Sequence, residues 1–133
     1  MAHLQLIVVT PEAPIFDEQI DFVVLPLYDG EIGISPLHAP MIGRLGYGEM
    51  RIRRGQETSR WYVDGGFVEV VGEQVSVLTG RAIPAAKLDA EVAGEQLQAA
   101  RAMKANTPDL LELRDRAEQQ ARAQHRIAHR EQQ

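Results

Sequence analysis

The hydrophobic pattern of this chain changes period once, close to Pro84, and that change constrains the fold more than any other feature. Before it, apolar residues alternate or cluster in short runs separated by Gly, Pro and Asp; after it they recur at three- and four-residue intervals. Short runs bounded by turn residues read as strands, whereas the three/four spacing is the stripe of an amphipathic helix. Glycine follows the same division, with ten of the eleven at or before Gly80 and only Gly94 beyond it. Charge does too: residues 1–84 carry 6 Lys+Arg against 11 Asp+Glu, and residues 85–133 carry 8 against 8. Two units are therefore expected, a β-unit over 1–84 and an α-helical unit over 85–133.

In the first unit Leu4, Leu6 and Val8 share one face of an opening strand, which Thr10-Pro11-Glu12 ends because proline cannot donate to a ladder. Ile20 to Leu25 is apolar on both faces except at Asp21, as in a sandwiched strand, and Pro26 is expected to mark its edge or end. Met50 and Ile52 alternate with charged neighbours up to the Arg54-Gly55-Gln56 turn, after which Arg60 to Val63 resumes; Val75-Ser76-Val77 follows the turn Val71-Gly72-Glu73. Turns at this spacing predict a β-sandwich or flattened barrel. Trp61 and Tyr62, being adjacent, point to opposite faces and are read as one core and one rim aromatic.

In the second unit Ala86, Ala90, Ala93, Leu97 and Ala100 form one stripe, broadened by Leu88, Val92 and Met103, so a helix is expected over 86–104. Asn106-Thr107-Pro108 supplies a stop, a capping hydroxyl and a proline suited to a first helical turn. A second helix starting there makes an antiparallel hairpin, with Leu110, Leu113, Ala117 and Ala121 on its inner face. Alanines bury little area at about 25 cal/mol per Å², so this helix is expected to detach easily and to act as a mobile element.

Composition narrows the functional classes. The 133 residues include no cysteine, which removes disulfides, thiolate catalysis and cysteine-based metal centres. The net charge of -5 argues against a general nucleic-acid binder. No apolar run approaches the roughly 20 residues that cross a bilayer, and Met1-Ala2-His3-Leu4 lacks the marks of a signal peptide, so a soluble, cytoplasmic protein without direct membrane insertion is expected. His125 and His129 have the spacing of a helical metal pair, but Arg126 stands where the H-E-x-x-H motif needs glutamate; no metal and no cofactor are expected. Gly43, Gly46 and Gly48 do not space as a P-loop.

The most specific segment is Gly30-Glu31-Ile32-Gly33-Ile34-Ser35-Pro36-Leu37-His38-Ala39-Pro40. It resembles the G-E-[LIF]-G-I-x-P-x-H-A-P segment of bacterial ATP synthase epsilon subunits. Gly48-Glu49-Met50-Arg51-Ile52, Asp64-Gly65-Gly66-Phe67-Val68-Glu69-Val70 and Val75-Ser76-Val77-Leu78 follow at that family's spacing. The resemblance covers most of residues 1–84; the helical part matches mainly in length and composition.

The resemblance implies a ten-stranded β-sandwich followed by the helical hairpin. It implies a noncatalytic central-stalk subunit of a proton-translocating ATP synthase, peripheral on the cytoplasmic face of the cell inner membrane. Its partners would be the gamma subunit, the ring of c subunits and, through the C-terminal helices, the catalytic beta subunits. Asp29, Gly30 and Glu31 would face the ring, and Ile34, Leu37, His38 and Met41 would lie near gamma. Arg122, Arg126 and Arg130, which recur on one helix face beside His125 and His129, would form an inhibitory basic stripe. Some relatives bind ATP through an [IL]-D-x-x-R-A motif with second-helix arginines. Leu88-Asp89-Ala90-Glu91-Val92-Ala93 keeps the aspartate and has Val92 in place of the arginine, so Asp89, Arg122 and Arg126 make at most a weak nucleotide set. The competing classes are a β-sandwich ligand-binding module and a β-sandwich enzyme using His38 with Asp29, Glu31 or Asp64; neither has a recognisable motif, and no catalytic residues are assigned.

Overall fold

The computed structural model describes residues 3–131, so the expectation drawn from Met1 and Ala2 falls outside the described residues. The chain divides into two compact units, Met1–Pro84 and Ala85–Gln133.

Among the described residues the first unit has eight strands: β1 (Leu4–Val9), β2 (Pro14–Ile20), β3 (Phe22–Leu27), β4 (Gly30–Ile34), β5 (Met41–Arg54), β6 (Glu57–Val71), β7 (Gln74–Leu78) and β8 (Ala82–Pro84). They form one sheet in the order β2-β1-β7-β6-β5-β3-β4, with β8 pairing β6. Every pair is antiparallel except β1 with β7. The sheet folds over on itself. Phe16 of β2 meets Trp61 of β6 edge to face at 6.5 Å, and Arg54 of β5 reaches Glu18 of β2 at 3.1 Å, although β2 lies several strands from both along the sheet. Those contacts run across the sandwich. Leu4, Leu6 and Val8 are buried as the alternation requires, and they join Ile20, Val23, Leu25, Ile34, Met50, Ile52, Val68, Val70, Val75 and Val77 in a single core. Each fully buried aliphatic side chain of this kind contributes about 1.5–3 kcal/mol.

Two expectations are corrected here. The strands number eight rather than ten, and the sheet is open: β2 pairs only β1 and β4 pairs only β3. The reason lies in β5 and β6, of 14 and 15 residues, which pass through a bend where a glycine-based reading sees breaks. Their ladder lapses between Leu45–Gly66 and Tyr47–Asp64 and then continues in the same register. Gly46 lets the strands close up there, since a Cβ at that position would sit 2.9 Å from the Leu27 carbonyl oxygen. Gly66, at φ +105, is more constrained still, with the Leu78 carbonyl oxygen 1.8 Å from where a Cβ would be. Pro26 does not end its strand either. It is buried inside β3, where the β3–β5 register shifts between Val24 and Leu27 and the missing N–H breaks no ladder bond. Residues 30–34 of the Gly30–Pro40 segment form β4, which leaves 35–40 as a loop before β5.

The second unit opens with a 3-10 turn (Ala85–Lys87), followed by α1 (Ala90–Arg101) and α2 (Pro108–Glu131). The Asp89 carboxylate accepts from the Glu91 and Val92 amides and caps α1, so the helix starts four residues later than the apolar stripe suggests, and Ala86 is exposed. Thr107 accepts from the Leu110 amide and caps α2 as expected. The inner face of α2 is corrected: Leu113 is 49% exposed, and the buried residues are Ala121, Ala123, Gln124, Ile127 and Ala128. Length explains this. With 12 residues against 24, α1 flanks only the second half of α2, as the Arg101–Glu118 approach (3.7 Å) and the packing of Gly94 on the His125 ring show.

Three outcomes follow for stability, each read by urea denaturation. Leu6→Ala costs about 2–5 kcal/mol, because a cavity opens in the core, whereas Leu113→Ala costs less than about 0.5 kcal/mol. Gly66→Ala costs at least about 3 kcal/mol, since the added methyl overlaps backbone that has no room to move. Asp21 accepts from the Gly55 amide at 2.6 Å, and that bond, with smaller contributions from His3 and Arg53, holds its carboxyl below the ordinary 3.8. A depressed carboxyl stabilises above its unfolded value and loses that effect as pH falls through the folded value. Asp21→Asn therefore removes stability at pH 7 and flattens the loss of stability below about pH 4.

Candidate functional site

The β3–β4 hairpin turns on Tyr28-Asp29, because Leu27 pairs with Gly30. The turn is held by the Tyr28 amide donating to the Arg44 carbonyl at 3.1 Å and by the Arg44 guanidinium 5.4 Å above the Tyr28 ring. Asp29, Gly30 and Glu31 are all exposed at this end of the sandwich. Glu31 lies in a polar row laid across three strands. Arg51 Nη1 donates to Glu31 at 3.3 Å and to Glu49 at 3.1 Å, and Arg60 Nε donates to the other oxygen of Glu49 at 2.9 Å. Glu49 is only 8% exposed, so two guanidinium groups compensate a carboxylate that is almost out of water. Hydrogen bonding to Glu49 in turn holds Arg51 above its ordinary range.

Between β4 and β5, residues 35–40 form a short loop with two internal hydrogen bonds. The His38 amide donates to the Ser35 carbonyl at 3.2 Å, and His38 Nδ1 donates to the Ala39 carbonyl at 2.7 Å. Leu37, at φ +69, is 85% exposed. Ile34 is a correction. Its side chain is fully buried among the core residues, so it has no surface to offer a partner. Met41 is half-buried, and the exposed apolar residue beside it is Ile42, at 75%.

Ile42 belongs to a surface that the sequence reading did not single out. Cross-strand pairing places Val9, Leu78, Phe67 and Arg44 side by side on β1, β7, β6 and β5, with Ile42 opposite Glu69 in the next row. Phe67, Val71 and Leu78 are each more than half exposed. Strand parity carried the signal: Val68 and Val70 face the core, so Phe67, Glu69 and Val71 must face outward. At one end of the row a pocket of about 330 Å³ is lined by Val9, Thr10, Pro11, Leu78, Thr79 and Gly80. Exposed apolar residues that adjoin in this way, with Arg44 and Glu69 among them, are suited to being covered.

Of the residues named for the enzymatic alternative, His38 and Asp64 have partners of their own. Among the described residues no carboxylate pairs with His38, whose ring bonds only to a backbone carbonyl. Asp64 is engaged elsewhere, accepting from the Tyr62 hydroxyl at 2.8 Å and from Arg81 Nε at 2.9 Å. No group of three or more His, Cys, Asp or Glu among the described residues is arranged to hold a metal. Of the two adjacent aromatics, Tyr62 is fully buried and Trp61 half-buried. No helix in the described residues is long and apolar enough to cross a membrane.

On α2, Arg122, Arg126 and Arg130 are exposed, and Arg122 hydrogen-bonds Glu118 one turn earlier. The rings of His125 and His129 stack at 6.0 Å. Asp89 is committed to capping α1, and no ion pair among the described residues joins it to Arg122 or Arg126.

Residues 3–85 match the family described as ATP synthase, Delta/Epsilon chain, beta-sandwich domain. The chain is 46% identical over 125 residues to the ATP synthase epsilon chain of Rhodopirellula baltica, covering 94% of this chain and 98% of that one. It is 41% identical over 111 residues to the ATP synthase epsilon chain of Granulibacter bethesdensis, covering 83% and 82%. A chain in the cryo-EM structure of Euglena gracilis mitochondrial ATP synthase, OSCP/F1/c-ring, matches with a TM-score of 0.84 at 20% identity, over 92% of this chain and 79% of that one. A chain of the Tetrahymena thermophila mitochondrial ATP synthase central stalk and c-ring matches at 0.75 and 11% identity, over 94% and 96%. These structural likenesses speak for the fold. The family match and the extent of the sequence identity together establish that the chain belongs to the ATP synthase epsilon chain family.

Proposed function

We propose that this chain is a noncatalytic central-stalk subunit of ATP synthase, which joins the catalytic head to the c-ring by surface contact. The observation that carries the reading is the set of exposed apolar residues Ile42, Phe67, Val71 and Leu78 on the outer face of β5, β6 and β7, together with the exposed Leu37 of the 35–40 loop. A surface of this composition is suited to being covered, and about 800 Å² per partner suffices for a stable joint. That surface and the loop residues Leu37, His38 and Met41 face gamma. Asp29, Gly30 and Glu31 face the polar loops of the ring, with Glu31 held in place by Arg51. The chain thereby sits peripherally at the membrane through the ring. Its hairpin is a mobile regulatory element whose Arg122, Arg126 and Arg130 meet acidic groups of a catalytic beta subunit and slow ATP hydrolysis.

Each part has a measurement. Phe67→Glu together with Leu78→Glu, both on exposed positions, leaves the isolated fold intact and weakens retention on the gamma-containing head by at least about 100-fold in Kd. An unchanged Kd removes the docking surface. A chain ending at Ala85 is expected to raise ATP hydrolysis by the reconstituted enzyme; equal rates remove the brake. Arg60→Met costs about 3 kcal/mol of stability because it leaves the Glu49 carboxylate undercompensated, and the double change Glu49→Leu with Arg60→Met recovers most of that loss in urea denaturation.

A further inference from the structure

The loop that follows β4 has the wrong residue at its tip for folding alone. The His38 amide bonds the Ser35 carbonyl, Pro36 occupies the second position of that turn, and Leu37 occupies the third at φ +69. A turn with proline second and a left-handed third residue is of the type II kind, whose third position is ordinarily Gly or Asn. Leucine there crowds its Cβ against the backbone. It also gains nothing from burial, because the side chain is 85% exposed. Among the described non-glycine residues Leu37 is the one with positive φ. An exposed apolar side chain on a strained backbone is unfavourable in the free chain, and its use must come from elsewhere.

The neighbouring histidine adds a second requirement. A carbonyl oxygen only accepts, so the 2.7 Å bond to Ala39 fixes the proton on Nδ1 of the neutral His38 ring. Nε2 is then an acceptor, and it makes no hydrogen bond within the described residues. Pro36 and Pro40 restrict the backbone on either side of the pair, and the bond to Ala39 orients the His38 ring, so little backbone freedom is lost when the loop is engaged.

We infer that Leu37 and His38 form a preorganised two-part anchor. Leu37 inserts into an apolar pocket on the partner, and the rim of that pocket supplies an N–H or O–H donor to Nε2 of His38. The inference rests on the reading that this loop faces gamma, and it assigns the strained leucine as the residue that sets affinity there.

The test uses the full chain, titrated onto an ATP synthase head that retains gamma but has been stripped of its own copy, and separately onto the isolated c-ring. Leu37→Gly and Leu37→Asn relieve the left-handed position, so both are expected to melt at or above the wild-type temperature while binding the head at least about tenfold more weakly. Leu37→Met keeps the apolar tip and is expected to bind as wild type. His38→Gln, whose amide oxygen reproduces an acceptor, is expected to bind more tightly than His38→Phe. Leu37→Gly binding the head as tightly as wild type overturns the anchor, as does a loss of affinity that appears on the ring instead. A lower melting temperature for both Leu37→Gly and Leu37→Asn overturns the strain on which it rests. If the wild-type chain fails to bind the head at all, the central-stalk reading falls with it.

Discussion

The antiparallel ladder between β5 and β6 is the interaction on which the rest of the first unit depends. It starts at the Arg54–Glu57 hairpin and runs to Met41–Val70, lapsing only where Gly46 faces Gly65. Its length forces it to serve both layers: β3 pairs with one strand of it, and β7 and β8 pair with the other. If the ladder ended at the glycines, the two halves of the sheet would be joined only through β3, which pairs with β5 on both sides of the bend among the described residues. Because it bends instead, one core collects side chains from both layers, and the β3–β4 hairpin and the 35–40 loop are held by the same two strands.

The ladder also explains the outer surface. Once Val68 and Val70 are committed to the core, period-two geometry leaves Phe67, Glu69 and Val71 facing outward, and the register aligns them with Arg44, Ile42 and Leu78. The polar row from Glu31 to Arg60 is built the same way at the other end of the same strands. One register thus lays down an apolar surface and a charged one together. Shifting either strand by a single residue would turn both surfaces inside out.

What was legible in the residues is what depends on near neighbours. The alternation of Leu4, Leu6 and Val8, the Gly55 and Gly72 turns and the Thr107 cap each rest on a handful of consecutive residues, and the structure contains all of them. What was hidden depends on distant partners. Whether Gly46 and Gly65 break a strand or bend it is decided by whether the ladder resumes beyond them. Pro26 sits within a strand because β5 slips its register opposite. Leu113 has the right spacing for an inner face but lacks a neighbouring helix to bury it. Among the candidate site residues, the motif singled out Leu37 and His38, which lie on the loop between β4 and β5. It did not separate them from the buried Ile34, and it gave no sign of the backbone conformation at Leu37.

The unequal lengths of α1 and α2 give the hairpin a direction. The buried residues of α2 begin at Ala121, so its first three turns form an overhang with little to hold them, and Ile127 is the sole large aliphatic side chain among those that are buried. Lifting α2 from its Pro108 end therefore meets no buried apolar residue until Ala121, and what holds the two helices together is concentrated in the second half of α2.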